Sequence, residues 1–307
     1  MRRLIWLLIL TPLVGLAQDS ASTQNSNKDL KRARYYELRE LYKNGIKKYS
    51  DMPFLVNSAK ELRDDDLANS VAQDYIDNFL LHLKDDSLYT KEHIEFIKFN
   101  TLNSRQRGFN FFYYQTSKID NALNQIGYSQ EVVKAIIYKE EIDSFFRSNI
   151  ADGTEPEWGK IAENIRKKYN ADYAEKTILD AQIGWCAYKR NWSSYCDFVV
   201  DKVERYGPFG PFSQDWNLND NAWNIFLHSS EKSQLTKALS WSEKVLRISP
   251  SPNAEYFDTY ANLLYKLGRF EEAIKVQEKA LKLAPDAKDI QENIQKMRTR
   301  VPTWPID

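Results

Sequence analysis

The chain has 307 residues, of which 42% are hydrophobic and 13% aromatic, so it can bury a sizeable core and is not a disordered chain. The charges of its 43 basic and 43 acidic side chains cancel. The chain therefore has no net charge that would attract it to nucleic acid or to an anionic membrane surface. We therefore expect no nucleic-acid partner, and a charged binding face has to be local. Only 10 Gly and 10 Pro favour long regular elements over a turn-rich β-sandwich.

The N-terminus has the pattern of an export signal. Two arginines precede an apolar run over 4–10, and the small residues Gly15 and Ala17 follow. This pattern predicts a signal peptide over 1–17 that is cleaved after Ala17. A membrane anchor is the alternative, but the run is shorter than the roughly 20 residues that span a bilayer. We expect an exported protein, periplasmic or secreted, with no stable membrane span after the signal is removed.

The next 190 or so residues predict a leader and then helices. Residues 18–27, QDSASTQNSN, are polar and predict a flexible leader. From 28 to 206, apolar residues recur at helical intervals and convincing strand patterns are absent, which predicts a degenerate helical-repeat region, either a regular array or an irregular bundle. The expected helices are 29–49, 53–62, 67–83, 91–99, 109–123, 130–146, 157–169, 173–188 and 194–206.

Capping residues mark two of these helix starts. In TEPEW, Thr154 and Glu157 have the spacing of a capping box, with Pro156 in the first turn. Ser129 precedes QEVVKAIIY and predicts a second N-cap.

The stretch FNFFYYQ over 109–115 is denser in aromatic residues than a one-sided helix requires. It predicts either core at a junction between hairpins or an aromatic platform for a glycan or peptide.

Residues 207–214 predict a Gly/Pro linker, because two Gly-Pro pairs exclude a helix there. After the linker, KALSWSEKVLRISP aligns with EAIKVQEKALKLAP. Ala238 and Ala273 are 35 residues apart, and so are Pro250 and Pro285. This period resembles that of the tetratricopeptide repeat (TPR), a hairpin of two helices.

The second copy resembles the TPR pattern position by position. Small residues let the two helices approach closely, a glycine allows the turn between them and a proline ends the second helix. The matching positions are the bulky Phe257, the small Ala261, the turn glycine Gly268, the inter-helix alanines Ala273 and Ala280, and the terminating Pro285.

The copy before it is degenerate, since Phe226 replaces the small residue and Ser233 the turn glycine. Two units are too few for an autonomous array, so the helices before the linker are expected to stack on them. We predict TPR-like repeats with a terminal capping helix over 215–300 and a tail over 301–307. The predicted fold class is all-α, a helical-hairpin repeat array of the α-solenoid type.

The wider chain also resembles the helical region that follows the thioredoxin domain in some secreted bacterial thioredoxin-family proteins. The similarity rests on LYTKEHIEFIKFNTLNSRQRGFNFFYYQTSKID, KKYNADYA and WCAYKRNWSSYCDFV. The redox activity of that family requires a C-x-x-C motif, which this sequence lacks. The resemblance implies the helical module without its enzyme.

The only cysteines, Cys186 and Cys196, lie ten residues apart across a predicted helix–turn–helix. An oxidising compartment would permit a disulfide between them, and two buried thiols are the alternative. A redox-active pair is disfavoured by the spacing.

Catalytic patterns are missing from the sequence. The three histidines are far apart, with no metal-ligand spacing, and there is neither a G-x-S-x-G motif nor a Gly-rich phosphate loop. We therefore expect no enzyme, no metal and no cofactor.

These observations predict an exported scaffold or adaptor that binds a protein or peptide partner. By resemblance to peptide-binding TPR domains, Asn262 would clamp peptide backbone and Lys266 a carboxylate. A thiol-redox accessory protein is the alternative function. The predicted groove residues are Trp223, Asp258, Asn262, Tyr265 and Lys266.

Overall fold

The computed structural model describes the backbone of residues 15–208 and 213–305, and the side chains of 28–148, 153–208 and 213–305. Within these ranges the structure is helical and contains no β-strand, which confirms the all-α prediction. The first 14 residues of the predicted signal peptide lie outside the described part of the chain. None of the described helices is both long enough and apolar enough to cross a membrane.

The described residues form seventeen α-helices and two short 3-10 helices, at Tyr49–Asp51 and Leu80–His82. The α-helices in chain order are α1 (Gly15–Lys43), α2 (Met52–Glu61), α3 (Asp65–Asn78), α4 (Asp85–Leu88), α5 (Lys91–Asn100), α6 (Arg107–Tyr114), α7 (Thr116–Leu123), α8 (Tyr128–Glu141), α9 (Asp143–Asp152), α10 (Trp158–Lys168), α11 (Ala171–Lys189), α12 (Trp192–Tyr206), α13 (Gln214–His228), α14 (Lys232–Ile248), α15 (Ala254–Lys266), α16 (Phe270–Leu283) and α17 (Lys288–Arg298).

Several helix limits differ from the predicted ones. Helix α1 includes residues 18–27, where the sequence predicts a flexible leader, and whether this segment is flexible stays a prediction. The single helix predicted over 109–123 is two helices, α6 and α7, separated by Gln115. The helix predicted over 130–146 is interrupted at Ile142, which is fully buried between α8 and α9. Apolar periodicity continues across such a one-residue break, so the pattern alone cannot show it.

The capping box predicted at Thr154 is wrong. Helix α10 begins at Trp158, and Glu157 itself occupies the N-cap position without a side-chain capping bond. Because Glu157 is at the N-cap, it cannot be the residue that reaches back to a cap three positions earlier.

The cap predicted at Ser129 is also wrong, because α8 begins one residue before it. The carboxylate of Asp120, on the preceding helix α7, accepts from the backbone N–H groups of Gly127 at 2.6 Å and Ser129 at 3.0 Å. Gly127 has a left-handed φ of 84° at the N-cap. An acceptor from another helix therefore satisfies this helix start.

The chain divides into two compact units, Met1–Gly108 and Phe109–Asp307. In the first unit, consecutive helices α1, α2 and α3 pack in pairs, and α5 packs against α3. Its core includes Val56, Val71, Ile76 and Ile94, all fully buried.

The second unit contains α6 from Phe109 onward and helices α7 to α17. Consecutive helices pack in pairs from α7 to α9 and from α10 to α17. In the aromatic stretch at its start, Phe109, Phe111 and Phe112 are core and at most 5% exposed, whereas Tyr114 is 72% exposed. The predicted linker lies within this unit, between α12 and α13. Residues of α12 such as Val199 and Val203 share one hydrophobic cluster with Leu218 of α13, so helices before the linker do stack on the repeats.

The last hairpin, α15 and α16, has the predicted repeat geometry. Ala261, Ala273 and Ala280 are fully buried between the helices, and Gly268 has a φ of +83° in the turn. Helix α16 ends at Leu283, before Pro285. Helix α13 also packs against α15, the contact between first helices of successive hairpins that a solenoid requires.

The degenerate hairpin, α13 and α14, differs in its turn. Helix α14 begins at Lys232 and has 17 residues against 14 in α16, so Ser233 lies inside a helix and not in the turn. Phe226 is fully buried and packs against Trp223 and Trp304, with ring centroids 4.8 and 6.3 Å away. The large side chain at the small position is thus accommodated by the C-terminal segment.

Candidate functional site

A cavity of about 260 Å³ lies between α13, α15 and α17. These are the first helices of the two hairpins and the terminal helix, which in a repeat array form the inner, ligand-facing surface. The described residues that line the cavity are Trp216, Asn219, Asp220 and Trp223 from α13, Glu255, Asp258 and Thr259 from α15, and Asp289 and Ile290 from α17.

The spacing of these residues places them on one face of each helix. The four from α13 are at positions i, i+3, i+4 and i+7, and the three from α15 at i, i+3 and i+4, which is the spacing of a helical stripe. The opposite stripe of α13 is apolar, because Leu218, Ala222 and Ile225 are buried in the hydrophobic cluster shared with α14. Burial of one stripe of α13 thus presents the other to the cavity.

The cavity wall is acidic and aromatic. Four of its lining residues are carboxylates, and none of the described ones is basic. Asp220, Glu255 and Asp289 are exposed, whereas Asp258 is 7% exposed.

Two side-chain amides donate hydrogen bonds to the carboxylate of Asp258. Its Oδ1 accepts from Nε2 of Gln277 at 2.5 Å and from Nδ2 of Asn293 at 3.1 Å. Burial raises the pKa of Asp258, the charge of Asp289 raises it further, and the two amide hydrogen bonds oppose the shift. Burial therefore makes the carboxylate of Asp258 costly to keep ionised.

The wall of α13 contributes a second carboxylate with a raised pKa and an unpartnered amide. Although Asp220 is exposed, partial desolvation of its carboxyl group by the surrounding protein raises its pKa, and the charge of Lys202 opposes this. Asn219 is 8% exposed, and its Oδ1 is buried without a hydrogen-bond partner. A buried acceptor without a donor costs free energy that a ligand could recover.

Asn262 lies apart from the cavity. It is fully buried, and its Nδ2 donates to the backbone oxygen of Asp258 at 2.9 Å within α15. The structure therefore does not bring Asn262 to a surface where it could clamp peptide backbone.

Tyr265 and Lys266 are covered by the C-terminal segment. The hydroxyl of Tyr265 donates to the backbone oxygen of Val301 at 3.0 Å, and Tyr265 is 3% exposed. Nζ of Lys266 donates to the backbone oxygen of Phe226 at 2.6 Å and lies 4.9 Å from the ring centroid of Trp304. Burial lowers the pKa of Lys266 to about 8.

The carboxylate clamp at Asn262 and Lys266 stays a prediction. In the structure the amide of Asn262 is internal, and the ammonium of Lys266 is bound within this chain. Of the predicted residues, the structure brings Trp223 and Asp258 into one cavity. The sequence prediction missed six polar or aromatic lining residues, which are Trp216, Asn219, Asp220, Glu255, Thr259 and Asp289. The i, i+3, i+4, i+7 spacing from Trp216 was the pattern that could have identified those on α13.

The disulfide considered between Cys186 and Cys196 is not formed, and both thiols are free and buried. Cys196 packs into the hydrophobic cluster of α12, α13 and α14, a cluster that does not include Cys186. Burial raises the pKa of both thiols, that of Cys196 to about 11. Reactive thiols have lowered pKa values, so this environment is that of structural cysteines.

No group of three or more potential metal ligands occurs among the residues that the structure describes.

Residues 254–287 match the family model of the tetratricopeptide repeat. The match covers α15, the turn at Gly268 and α16. No curated protein matches the chain. The repeat match and the all-helical packing together identify a TPR-like fold.

Proposed function

We propose that this TPR-like protein is an exported, non-catalytic scaffold or adaptor that binds a protein partner in the cavity between α13, α15 and α17. TPR hairpins generally serve protein–protein interaction through the inner surface of the array. The observation that carries the proposal is the cavity itself, because it lies on that surface and two tryptophans line it. Tryptophan is enriched among residues that dominate binding energy at protein interfaces.

A thiol-redox role has no observation in its favour. Both cysteines are buried, and their pKa values are raised, so little thiolate forms at neutral pH.

Partner binding is testable by crosslinking capture from the native extracytoplasmic fraction with mature protein from Gln18. The groove variants are Asp220→Asn and Trp223→Ala, and the control is Lys279→Ala, an exposed position on α16 outside the cavity. We expect one partner to be captured by the original protein and by Lys279→Ala and lost or weakened in both groove variants. Because Asp220 is exposed, its substitution leaves the fold intact and separates binding from stability. Equal capture of the partner by all four proteins would contradict binding in this cavity.

Export is testable separately by expressing the full chain in a Gram-negative host. We expect the protein in the periplasmic or culture fraction with Gln18 at its N-terminus by mass spectrometry, because the small residue Ala17 precedes the predicted cleavage point. An intact Met1 on protein retained in the cytoplasm would contradict export and leave the groove unaffected.

A further inference from the structure

The cavity between α13, α15 and α17 combines carboxylates, indole rings and an unpartnered amide oxygen. We propose that it binds the guanidinium side chain of an arginine in a peptide segment of the partner. This assignment rests on the proposed function and specifies the chemistry of the ligand. It is the opposite of the carboxylate ligand that the sequence predicts.

Charge complementarity requires a cation. Asp220, Glu255 and Asp289 come from three different helices and surround the cavity at exposed positions, and no described lining residue is basic. The cation whose charge acts on Asp220 is Lys202, and Nζ of Lys202 is bound to Asp180 at 2.8 Å. A cationic ligand would meet attraction from several sides, whereas an anionic peptide would meet repulsion.

The two indoles favour a delocalised cation. Trp216 and Trp223 are seven residues apart on the cavity-facing stripe of α13, and Trp216 is 38% exposed. The face of tryptophan is the strongest aromatic partner for a cation, and a planar, weakly hydrated guanidinium stacks on it better than an ammonium does.

Asn219 adds an observation that is independent of the acidic residues. Its Oδ1 is buried, has no hydrogen-bond partner and belongs to a residue that lines the cavity. An N–H donor on the ligand would satisfy this acceptor. Guanidinium carries five donors in a planar fork and ammonium three, so guanidinium has enough donors to pair with an amide oxygen and a carboxylate at the same time.

The ligand class is testable by following the indole N–H signals of the isotopically labelled mature chain by NMR. The probe is Nα-acetyl-arginine methylamide, with the citrulline analogue as a neutral isostere and the lysine analogue as a compact cation. We expect saturable shifts of the Trp216 and Trp223 indole signals with the arginine probe, at least about threefold weaker binding of the lysine probe and no saturable shift with citrulline.

Substitutions in the cavity test whether the arginine probe binds there. We expect Asp220→Asn and Asp289→Asn each to weaken arginine-probe binding about two- to fivefold, in the range measured for exposed charge pairs. Asp286→Asn, at an exposed position in the turn before α17, is the matched control and should bind unchanged. Equal binding of arginine and citrulline, equal binding of arginine and lysine, or equal weakening by Asp286→Asn would each overturn the assignment.

The two proposals can fail separately. If no probe shifts either indole while partner capture still depends on Asp220 and Trp223, the guanidinium assignment is wrong and the scaffold function stands. If the arginine probe binds and no partner depends on the groove, the scaffold function is wrong and the site stands.

Discussion

Lys266 is a half-buried cation, and its main interactions are with a backbone oxygen and two aromatic rings. Nζ binds the carbonyl of Phe226 and lies over the rings of Phe226 and Trp304, at 5.4 and 4.9 Å from their centroids. These contacts do not fully replace water, which is why burial lowers its pKa to about 8 from an ordinary 10.5.

This lowered pKa predicts a pH-dependent stability. Between about pH 8 and 10.5 the unfolded state binds more protons at Lys266 than the folded state does. The contribution of Lys266 to the free energy of unfolding therefore rises with pH. Urea unfolding at pH 7.5, 8.5 and 9.5 measures this effect. At each pH the free energy of unfolding of Lys266→Met is subtracted from that of the original protein. Taking the difference removes the contributions that are common to both proteins, which include those of the tyrosines but not that of Cys196, because the charge of Lys266 lowers the pKa of that thiol. We expect this difference in the free energy of unfolding to increase as pH rises. A difference that is constant with pH would contradict the prediction.

The cysteines give a second prediction at the scale of residues. A pKa raised to about 11 from 9.0 leaves about 100-fold less thiolate at Cys196 near neutral pH, and burial adds a steric barrier. Alkylation at pH 8 should therefore be at least about 100-fold slower for Cys196 in the folded protein than in 6 M guanidinium chloride. Fast labelling of the folded protein, or an oxidised species linking Cys186 to Cys196, would favour the redox alternative.

At the scale of elements, Gly268 shows how much one turn depends on one residue. Its φ of +83° is strained for any residue with a Cβ, yet no atom lies within 4 Å of where that Cβ would be. Gly268→Ala should therefore cost about 1 to 2 kcal/mol through backbone strain alone.

Gly159 provides the matched control for this substitution. It lies in the first turn of α10, also with no neighbour within 4 Å, and its φ is not positive. Gly159→Ala should be neutral or stabilise the protein by up to about 1 kcal/mol, because alanine favours helix. Urea unfolding of both variants measures the contrast, and similar destabilisation by the two would show that the turn does not require glycine.

The last hairpin was predictable because its rules are local. The glycine turn, the buried alanines and the terminating proline are encoded within one repeat of sequence. The start of α8 was not predictable, because Asp120 satisfies it from another helix. Contacts from other parts of the chain are also the reason why the predicted groove residues differ from those that line the cavity. A spacing of 35 residues aligns Trp223 with Asp258, but α14 begins earlier than that spacing implies, and the C-terminal segment covers Tyr265 and Lys266.

At the scale of the whole molecule, the second unit presents an acidic and aromatic cavity between α13, α15 and α17, which is the proposed partner site. The helices before the predicted linker support it, since Cys196, Val199 and Val203 of α12 share the hydrophobic cluster of the degenerate hairpin. The C-terminal segment supports it from the other side, where Trp304 packs against Tyr265 with ring centroids 6.1 Å apart. The cavity is thus built on packed helices.

The central claim is that a partner docks in this cavity. Its most direct test places a photocrosslinking amino acid at position 255, an exposed position that lines the cavity, or at position 279, on the exposed face of α16, and irradiates cells that contain the native partner. Trp223 is kept, because its substitution is expected to weaken binding. We predict a crosslinked partner from position 255 that excess acetyl-arginine methylamide reduces, and none from position 279. A partner crosslinked equally from both positions, or from position 279 alone, would contradict the claim.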